Sequence, residues 1–168
     1  DEERFLNPQS PYAESKINEE QYIIQNLNSN YNILRFGTIF GVSPGMRFHT
    51  AVNKFCWQAA FNLPITVWKT ALDQYRPYLD IDDACNAVSF FLDGKHDGEI
   101  FNILTKNYTV KNIIDAIQQI KHVDIEFVDS KIMNQLSYFV KDDKINATGF
   151  KFKGNLIDAI QSTFEWLE

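Results

Sequence analysis

Tyr12 and Lys16 stand four residues apart in the run SPYAESKINEE, residues 10–20. The chemistry open to such a pair is proton transfer. A free phenol titrates near pKa ~10, a neighbouring ammonium favours the phenolate, and each unit of lowering corresponds to about 1.4 kcal/mol. Lowered by about two or three units, Tyr12 would take a proton from an alcohol while hydride leaves the same carbon, the proton half of an alcohol oxidation. The pair works only on a helix, where an i, i+4 spacing puts both side chains on one face about 6 Å apart along the axis. The local sequence supplies that helix. Ser10 is a good N-cap, Pro11 suits the first helical position, and Glu14, Glu19 and Glu20 favour helix. The expected helix runs to about Asn28, with Ile17, Tyr22, Ile23, Ile24 and Leu27 on a buried face. Spacing alone is weak evidence. Seven tyrosines and twelve lysines in 168 residues give about half of one such pair by chance, and an exposed lysine beside a half-buried tyrosine on an amphipathic helix is the plain alternative.

The elements that follow would carry further polar groups to the same place. Residues 32–40 are rich in Ile, Leu, Phe and Thr and read as one strand buried on both faces, so the helix and strand form half of a doubly wound unit. Arg35 within it requires a partner, and a structural ion pair is the favoured expectation over substrate contact. Phe36, Gly37 and Thr38 lie at the strand's C-terminal end, where ligands bind in open α/β sheets. After a loop at 41–45, residues 46–62 show helical apolar spacing around Asn53, with Arg47 and His49 either facing an anion or simply at the surface. Residues 63–69 read as a strand and 70–75 as a loop, and Arg76 then opens RPYLDIDDA. Asp80, Asp82 and Asp83 read as a helix start, with Asp82 or Asp83 capping a helix over 84–92, rather than as a metal site. His96 is expected in solvent. Short strands at 100–104 and 125–128 flank a helix over 110–121 capped by Thr109. Residues 134–140 (NQLSYFV) read as strand or loop, and a last helix over 155–167 turns Leu156, Ile157, Ile160, Phe164 and Leu167 inward. Trp57, Trp68 and Trp166 read as core or interface anchors.

Composition narrows the class. Forty-five per cent apolar residues with fourteen Phe and seven Tyr describe a globular core, and a net charge of −6 with a sequence pI near 5.1 argues against a nucleic-acid groove. Cys56 and Cys85 lack metal-ligand spacing and read as buried free thiols in a reducing, cytoplasmic setting, so no metal is expected. Apolar runs are short and interrupted, which argues against membrane insertion.

The ordered motifs SPYAESK, YNILRFGTIFGVSP and RPYLDIDDA resemble the C-terminal half of the extended short-chain dehydrogenase/reductases, specifically the NAD-dependent sugar-nucleotide epimerase/dehydratase family, from about Asn7 to about Asn102. The resemblance implies an α/β fold: the C-terminal part of a doubly wound Rossmann-type sheet, residues 1–45, plus a small α+β substrate-binding subdomain, residues 46–168, some of whose strands and helices return to the sheet. It implies Tyr12 as catalytic base, with Lys16 lowering its pKa and holding the nicotinamide ribose. Phe36 and Gly37 would flank the cofactor, while Thr38, Asn53 and Arg76 would contact a nucleotide-sugar substrate. At Thr38 the family often has Asn. For Asn53 a core-helix role, and for Arg76 a surface ion pair, stay open beside the substrate roles. NAD or NADP is the implied cofactor of the full-length protein. The family's glycine-rich fingerprint lies upstream of the tyrosine, so the chain reads as a fragment that by itself binds no cofactor well and is inactive. A homodimer through the Tyr12 helix, or a non-catalytic binding module, is the alternative.

Overall fold

A computed structural model describes residues 1–4, 6–8, 10–94, 96–129 and 137–168. Helix α1 spans Pro11–Asn26, and the Ser10 hydroxyl accepts the Ala13 N–H at 3.2 Å, the cap its sequence implies. The buried face expected of α1 is not there. Among the described residues none on α1 is buried, and Tyr22 and Ile24 are 69% and 46% exposed. Its half-buried stripe is Ala13, Ile17, Glu20 and Ile23, a spacing of three to four residues that lays one narrow edge on the body.

The expected single strand over 32–40 is two. Strand β1 (Asn32–Phe36) pairs in parallel with β5 (Glu99–Ile103), whereas β2 (Thr38–Phe40) pairs in parallel with β4 (Tyr75–Asp80). Gly37 separates them. Its N–H donates to the Ile103 carbonyl at 2.9 Å, and a Cβ there would stand 3.0 Å from the Pro77 carbonyl oxygen, so the chain crosses between sheets where a side chain would crowd the β4 backbone. Only Phe40 of these strands is buried, so burial on both faces is corrected too. Strand β4 also pairs antiparallel with β6 (Lys106–Thr109), a strand the apolar pattern did not reveal. A third, two-stranded parallel sheet joins β3 (Ile65–Trp68) to β7 (Ile125–Val128).

Two apolar clusters hold these sheets. The larger packs α2 (Ala51–Ala60), α4 (Val110–Ile120) and α6 (Leu156–Leu167) over β3, through Val52, Phe55, Ile113, Ile117, Ile160 and Phe164. Thr109 caps α4 as expected and exchanges hydrogen bonds with Asn112 in a reciprocal box. On α6, Thr163 is fully buried while Ile157 is 40% exposed, against the expected inward set. The Thr163 hydroxyl escapes an unsatisfied burial by donating to the Ala159 carbonyl at 2.7 Å. The smaller cluster joins α3 (Ile81–Phe91), β4 and β5 through Leu79, Phe91, Phe101 and Ile103, with Ile145 of the short α5 (Asp143–Ala147). His96, expected in solvent, packs among Phe90, Phe91 and Phe101 at centroid distances of 5.7–5.8 Å. Both cysteines are free, but Cys85 is exposed; only Cys56 is buried, and burial pushes its thiol up to about 12. None of the three tryptophans is buried: Trp57, Trp68 and Trp166 are 38%, 52% and 55% exposed. Of the 134–140 stretch, 134–136 lie outside the described residues and 137–140 have no regular structure. Among the described residues no helix is long and apolar enough to cross a membrane, and no cluster of three His, Cys, Asp or Glu could hold a metal ion.

Candidate functional site

Tyr12 and Lys16 share a face of α1, with the ammonium 5.9 Å from the phenol ring's centroid. Tyr12 is 73% exposed, so its hydroxyl is not locked in core. Lys16 donates to Glu19 at 2.7 Å, and that hydrogen bond first, then the carboxylate's charge, holds the ammonium above its ordinary value of 10.5. A lysine so held stays cationic beside the phenol. The helix is tied to the sheet by Arg35 of β1, whose Nε and Nη2 fork onto the two Glu20 oxygens, while Nη1 donates to the Glu2 carbonyl at 3.1 Å. This is the structural ion pair expected for Arg35, and the bidentate geometry is what guanidinium favours.

A second feature lies on the other side of Gly37. A cleft of about 580 Å³ is walled by β2, β3, β4 and the start of α2. Thr38 and Arg76 both line it, and so do His49, Lys54, Trp68 and Tyr78. Thr38 and Tyr78 are direct partners in the β2–β4 register, which places both on the same stretch of wall. Arg76 belongs to β4. Tyr78 is 4% exposed, and burial, outweighing the Arg76 charge, pushes its hydroxyl up to about 12, so it remains a neutral donor and acceptor. The α2 N-terminus opens at Thr50, where backbone N–H groups have no intrahelical partners and the helix end is positive. Thr50 Oγ1 is shielded from solvent without a hydrogen-bond partner among the described residues. Among the described residues that line the cleft there is no carboxylate.

Asn53 does not line this cleft. It is 4% exposed, its Oδ1 accepts the Gly41 N–H at 3.3 Å, and its Nδ2 donates to the Arg47 carbonyl at 3.1 Å, so both ends of the amide hold the loop before α2. That is the core-helix role left open beside substrate contact. Tyr12, Lys16, Phe36 and Gly37 also lie outside the cleft wall; Phe36, 41% exposed, ends β1. The structure thus brings Thr38 and Arg76 together and leaves Tyr12 and Lys16 on a separate, open face. Lys54, Trp68 and Tyr78 carried no expectation as site residues. One signal was available for Lys54, because Thr50 and Lys54 are four apart and must share a helix face.

The arrangement offers a phenol–ammonium pair on α1 and a cationic, aromatic cleft beyond the strand break. Residues 1–103 match the NAD dependent epimerase/dehydratase family, and the chain belongs to that family. It is 28% identical over 180 residues to dTDP-D-glucose 4,6-dehydratase of Bos taurus, covering 99% of this chain and 50% of that protein. It is 23% identical over 172 residues to a trifunctional UDP-glucose 4,6-dehydratase/UDP-4-keto-6-deoxy-D-glucose 3,5-epimerase/UDP-4-keto-L-rhamnose-reductase of Arabidopsis thaliana, covering 96% of this chain and 25% of that protein. In fold it is similar to UDP-glucuronic acid 4-epimerase from Bacillus cereus, solved with UDP-glucuronic acid and NAD, at a TM-score of 0.85 and 22% identity over 99% of this chain and 55% of that one. RMD from Pseudomonas aeruginosa, complexed with NADPH, gives 0.85 and 20% over 99% and 59%. The chain therefore has the expected α/β fold of Rossmann-type enzymes, and it spans about half the length of the mammalian relative and a quarter of the plant one.

Proposed function

We propose that the chain is the catalytic-helix and substrate-binding portion of an NAD(P)-dependent sugar-nucleotide epimerase or dehydratase, and that the cleft takes the nucleoside diphosphate of its substrate. The observation that carries this reading is the wall itself: Arg76, Lys54, His49 and a helix N-terminus face one space with no carboxylate among the described lining residues, in a chain of net charge −6. A local excess of positive charge in an acidic protein fits an anion, and guanidinium suits a phosphate pair. Arg76 holds the diphosphate, exposed Trp68 offers a face to the base, and Thr38 touches the sugar side. Asn53 shapes the site by fixing the loop between Gly41 and Arg47. Residues 1–45 then complete a Rossmann-type domain and 46–168 form the substrate subdomain.

On α1, Tyr12 accepts the proton of the sugar hydroxyl, and Lys16, kept charged by Glu19, stands beside it on the same helix face. A nicotinamide cofactor, when bound, supplies the hydride acceptor. The residues present fit its nicotinamide end alone: Lys16 toward the ribose, Phe36 and the side-chain-free Gly37 toward the ring. No glycine-rich turn in this sequence opens a helix to cradle the pyrophosphate. By itself the chain is thus expected to bind NAD poorly and not to turn over. Its two free thiols suit a cytoplasmic setting.

Calorimetric titration of the chain with UDP and dTDP tests the cleft. Arg76→Ala is expected to weaken diphosphate binding by about 10- to 100-fold, the worth of one or two charge-assisted bonds, and to leave uridine, which has no phosphate, unchanged. Absence of binding for both diphosphates overturns the reading of the cleft; micromolar NAD binding by the same chain overturns the reading of the cofactor. A second role is favoured by the exposed Tyr22, Ile24 and Leu27 of the α1 segment, which suit an assembly face for a homodimer. A monomer in sedimentation at high protein concentration excludes it.

A further inference from the structure

Arg76 is mounted unlike Arg35. Among the described residues no carboxylate pairs with it; its Nη2 lies 3.5 Å from Gln74 Oε1, and its guanidinium carbon sits 4.9 Å from the ring centroid of Tyr138. The difference matters for an anion site. A carboxylate partner neutralises the cation and occupies its N–H edge, whereas an aromatic face attracts the cation through the ring quadrupole and leaves in-plane donors free.

Tyr138 is itself carried on an anchored segment. Tyr138 N–H donates to the Tyr75 carbonyl at 3.2 Å, and Ser137 Oγ accepts from Tyr75 N–H at 3.0 Å. Two residues on, Asn107 of β6 uses its amide as a strand neighbour would. Its Nδ2 donates to the Val140 carbonyl at 2.9 Å, and its Oδ1 accepts the Val140 N–H at 3.0 Å. Asn102 Nδ2 adds a bond to the Lys141 carbonyl at 3.1 Å, and Phe139 meets the Tyr75 ring edge-on at 5.9 Å. The segment that carries Tyr138 is therefore fixed to β4, β5 and β6 through Ser137, Tyr138, Val140 and Lys141, although the ring is 45% exposed. Fixed supports of this kind hold a binding group in its working orientation before ligand arrives.

We infer that Tyr138 is a positioning residue: its ring face, mounted by Asn107, orients the Arg76 guanidinium toward the cleft while leaving its charge available to a diphosphate. This rests on the diphosphate reading of the cleft, and the experiment separates the two. UDP and uridine are titrated into the full chain as wild type, Tyr138→Phe, Tyr138→Leu, Asn107→Ala, Arg76→Ala and the Arg76→Ala/Tyr138→Leu double variant, with thermal melts as a check of folding. Tyr138→Leu is expected to weaken UDP about three- to tenfold and uridine not at all, Tyr138→Phe to stay within twofold of wild type, and Asn107→Ala to fall between. In the Arg76→Ala background the leucine should cost nothing more, since the effect runs through the guanidinium. An equal loss for phenylalanine and leucine, or an undiminished loss without Arg76, overturns the inference. Should wild type bind no UDP, the diphosphate reading is what fails, and the Arg76 Nε–H resonance still decides the stack. Ring current from Tyr138 must shift that resonance in wild type and Tyr138→Phe but not in Tyr138→Leu; an identical resonance in all three overturns it.

Discussion

Asp83 is 1% exposed and makes three hydrogen bonds that join distant parts of the chain. Its Oδ1 accepts the Lys153 N–H at 2.8 Å, and its Oδ2 accepts the Gly154 N–H at 3.0 Å and the Thr105 hydroxyl at 2.7 Å. Thr105 in turn accepts the Asp80 N–H at 2.8 Å, so the network reaches the end of β4, the strand that carries Arg76 and Tyr78. Gly154 fits because it has no side chain: a Cβ would stand 2.7 Å from Asp83 Oδ2 and 2.4 Å from Asp80 Cβ. Asp83→Ala removes the buried acceptor of three partly buried hydrogen bonds. Bonds to a charged group contribute about 1.5–3 kcal/mol each, but water enters the vacated space and the bonds are not additive, so about 3–5 kcal/mol is expected in all. In a chain of this length that lowers the melting temperature by roughly 10 °C. Asp83→Asn is the sharper perturbation, because it keeps the shape yet turns an N–H₂ toward at least one backbone N–H. A loss of about 2 kcal/mol is expected from that donor–donor conflict. Urea unfolding at pH 7 measures both, with an unchanged m-value showing that stability and not compactness has moved. If both variants unfold within about 0.5 kcal/mol of wild type, well below the usual cost of a broken buried network, the reasoning is wrong.

Burial first, with help from the Asp82 and Asp83 charges, holds the Asp80 carboxyl above its ordinary value of 3.8, so its contribution to stability is fully present below that value and is lost as pH rises through the raised one. Asp80→Asn, which can still accept the Asp82 N–H at the α3 cap, should therefore be more stable than wild type at pH 7, by an amount that shrinks as the pH falls toward 3.8; urea midpoints at the two extremes check it. Glu20→Gln breaks the fork to Arg35 and, with no buried α1 side chain in support, should speed amide exchange along α1 at least tenfold while leaving α4 and α6 unchanged. Gly154→Ala should destabilise by about 1–3 kcal/mol through overpacking against Asp80 and Asp83, read from the same urea curves.

The elements legible from sequence were those whose signals are local. The Ser10 and Thr109 caps, the apolar spacing on α2 and α4 and the β-branched run of β3 each declare themselves within a few residues. What was not legible depended on distant partners. Gly37 could be seen as a glycine, but its use in passing the chain from one sheet to another depends on Pro77, forty residues away. The α3 cap falls two or three residues before the position that its sequence suggests, because Asp80, Asp82 and Asp83 are equivalent by type and only the Asp80 carboxylate turns back onto the Asp82 N–H. For the site, Thr38 and Arg76 were named from the family resemblance and line one cleft, but Lys54 and Trp68 enter it from helix and strand ends that no motif marks. Tyr12 and Lys16 stand on a helix whose apolar residues were read as core, yet apolar pattern shows only that a face can be covered, not what covers it.

The Glu20–Arg35 fork has a consequence for how this protein fails. Because α1 lends no side chain to either apolar cluster, damage to that fork would set the Tyr12–Lys16 pair adrift while the cleft, built on β4 and α2, stayed assembled. Lesions in the chain therefore sort into two independent kinds, one that loosens α1 with the cleft intact and one that does the reverse. Mixing a variant of each kind would restore nothing unless the helix could be lent from one copy to another.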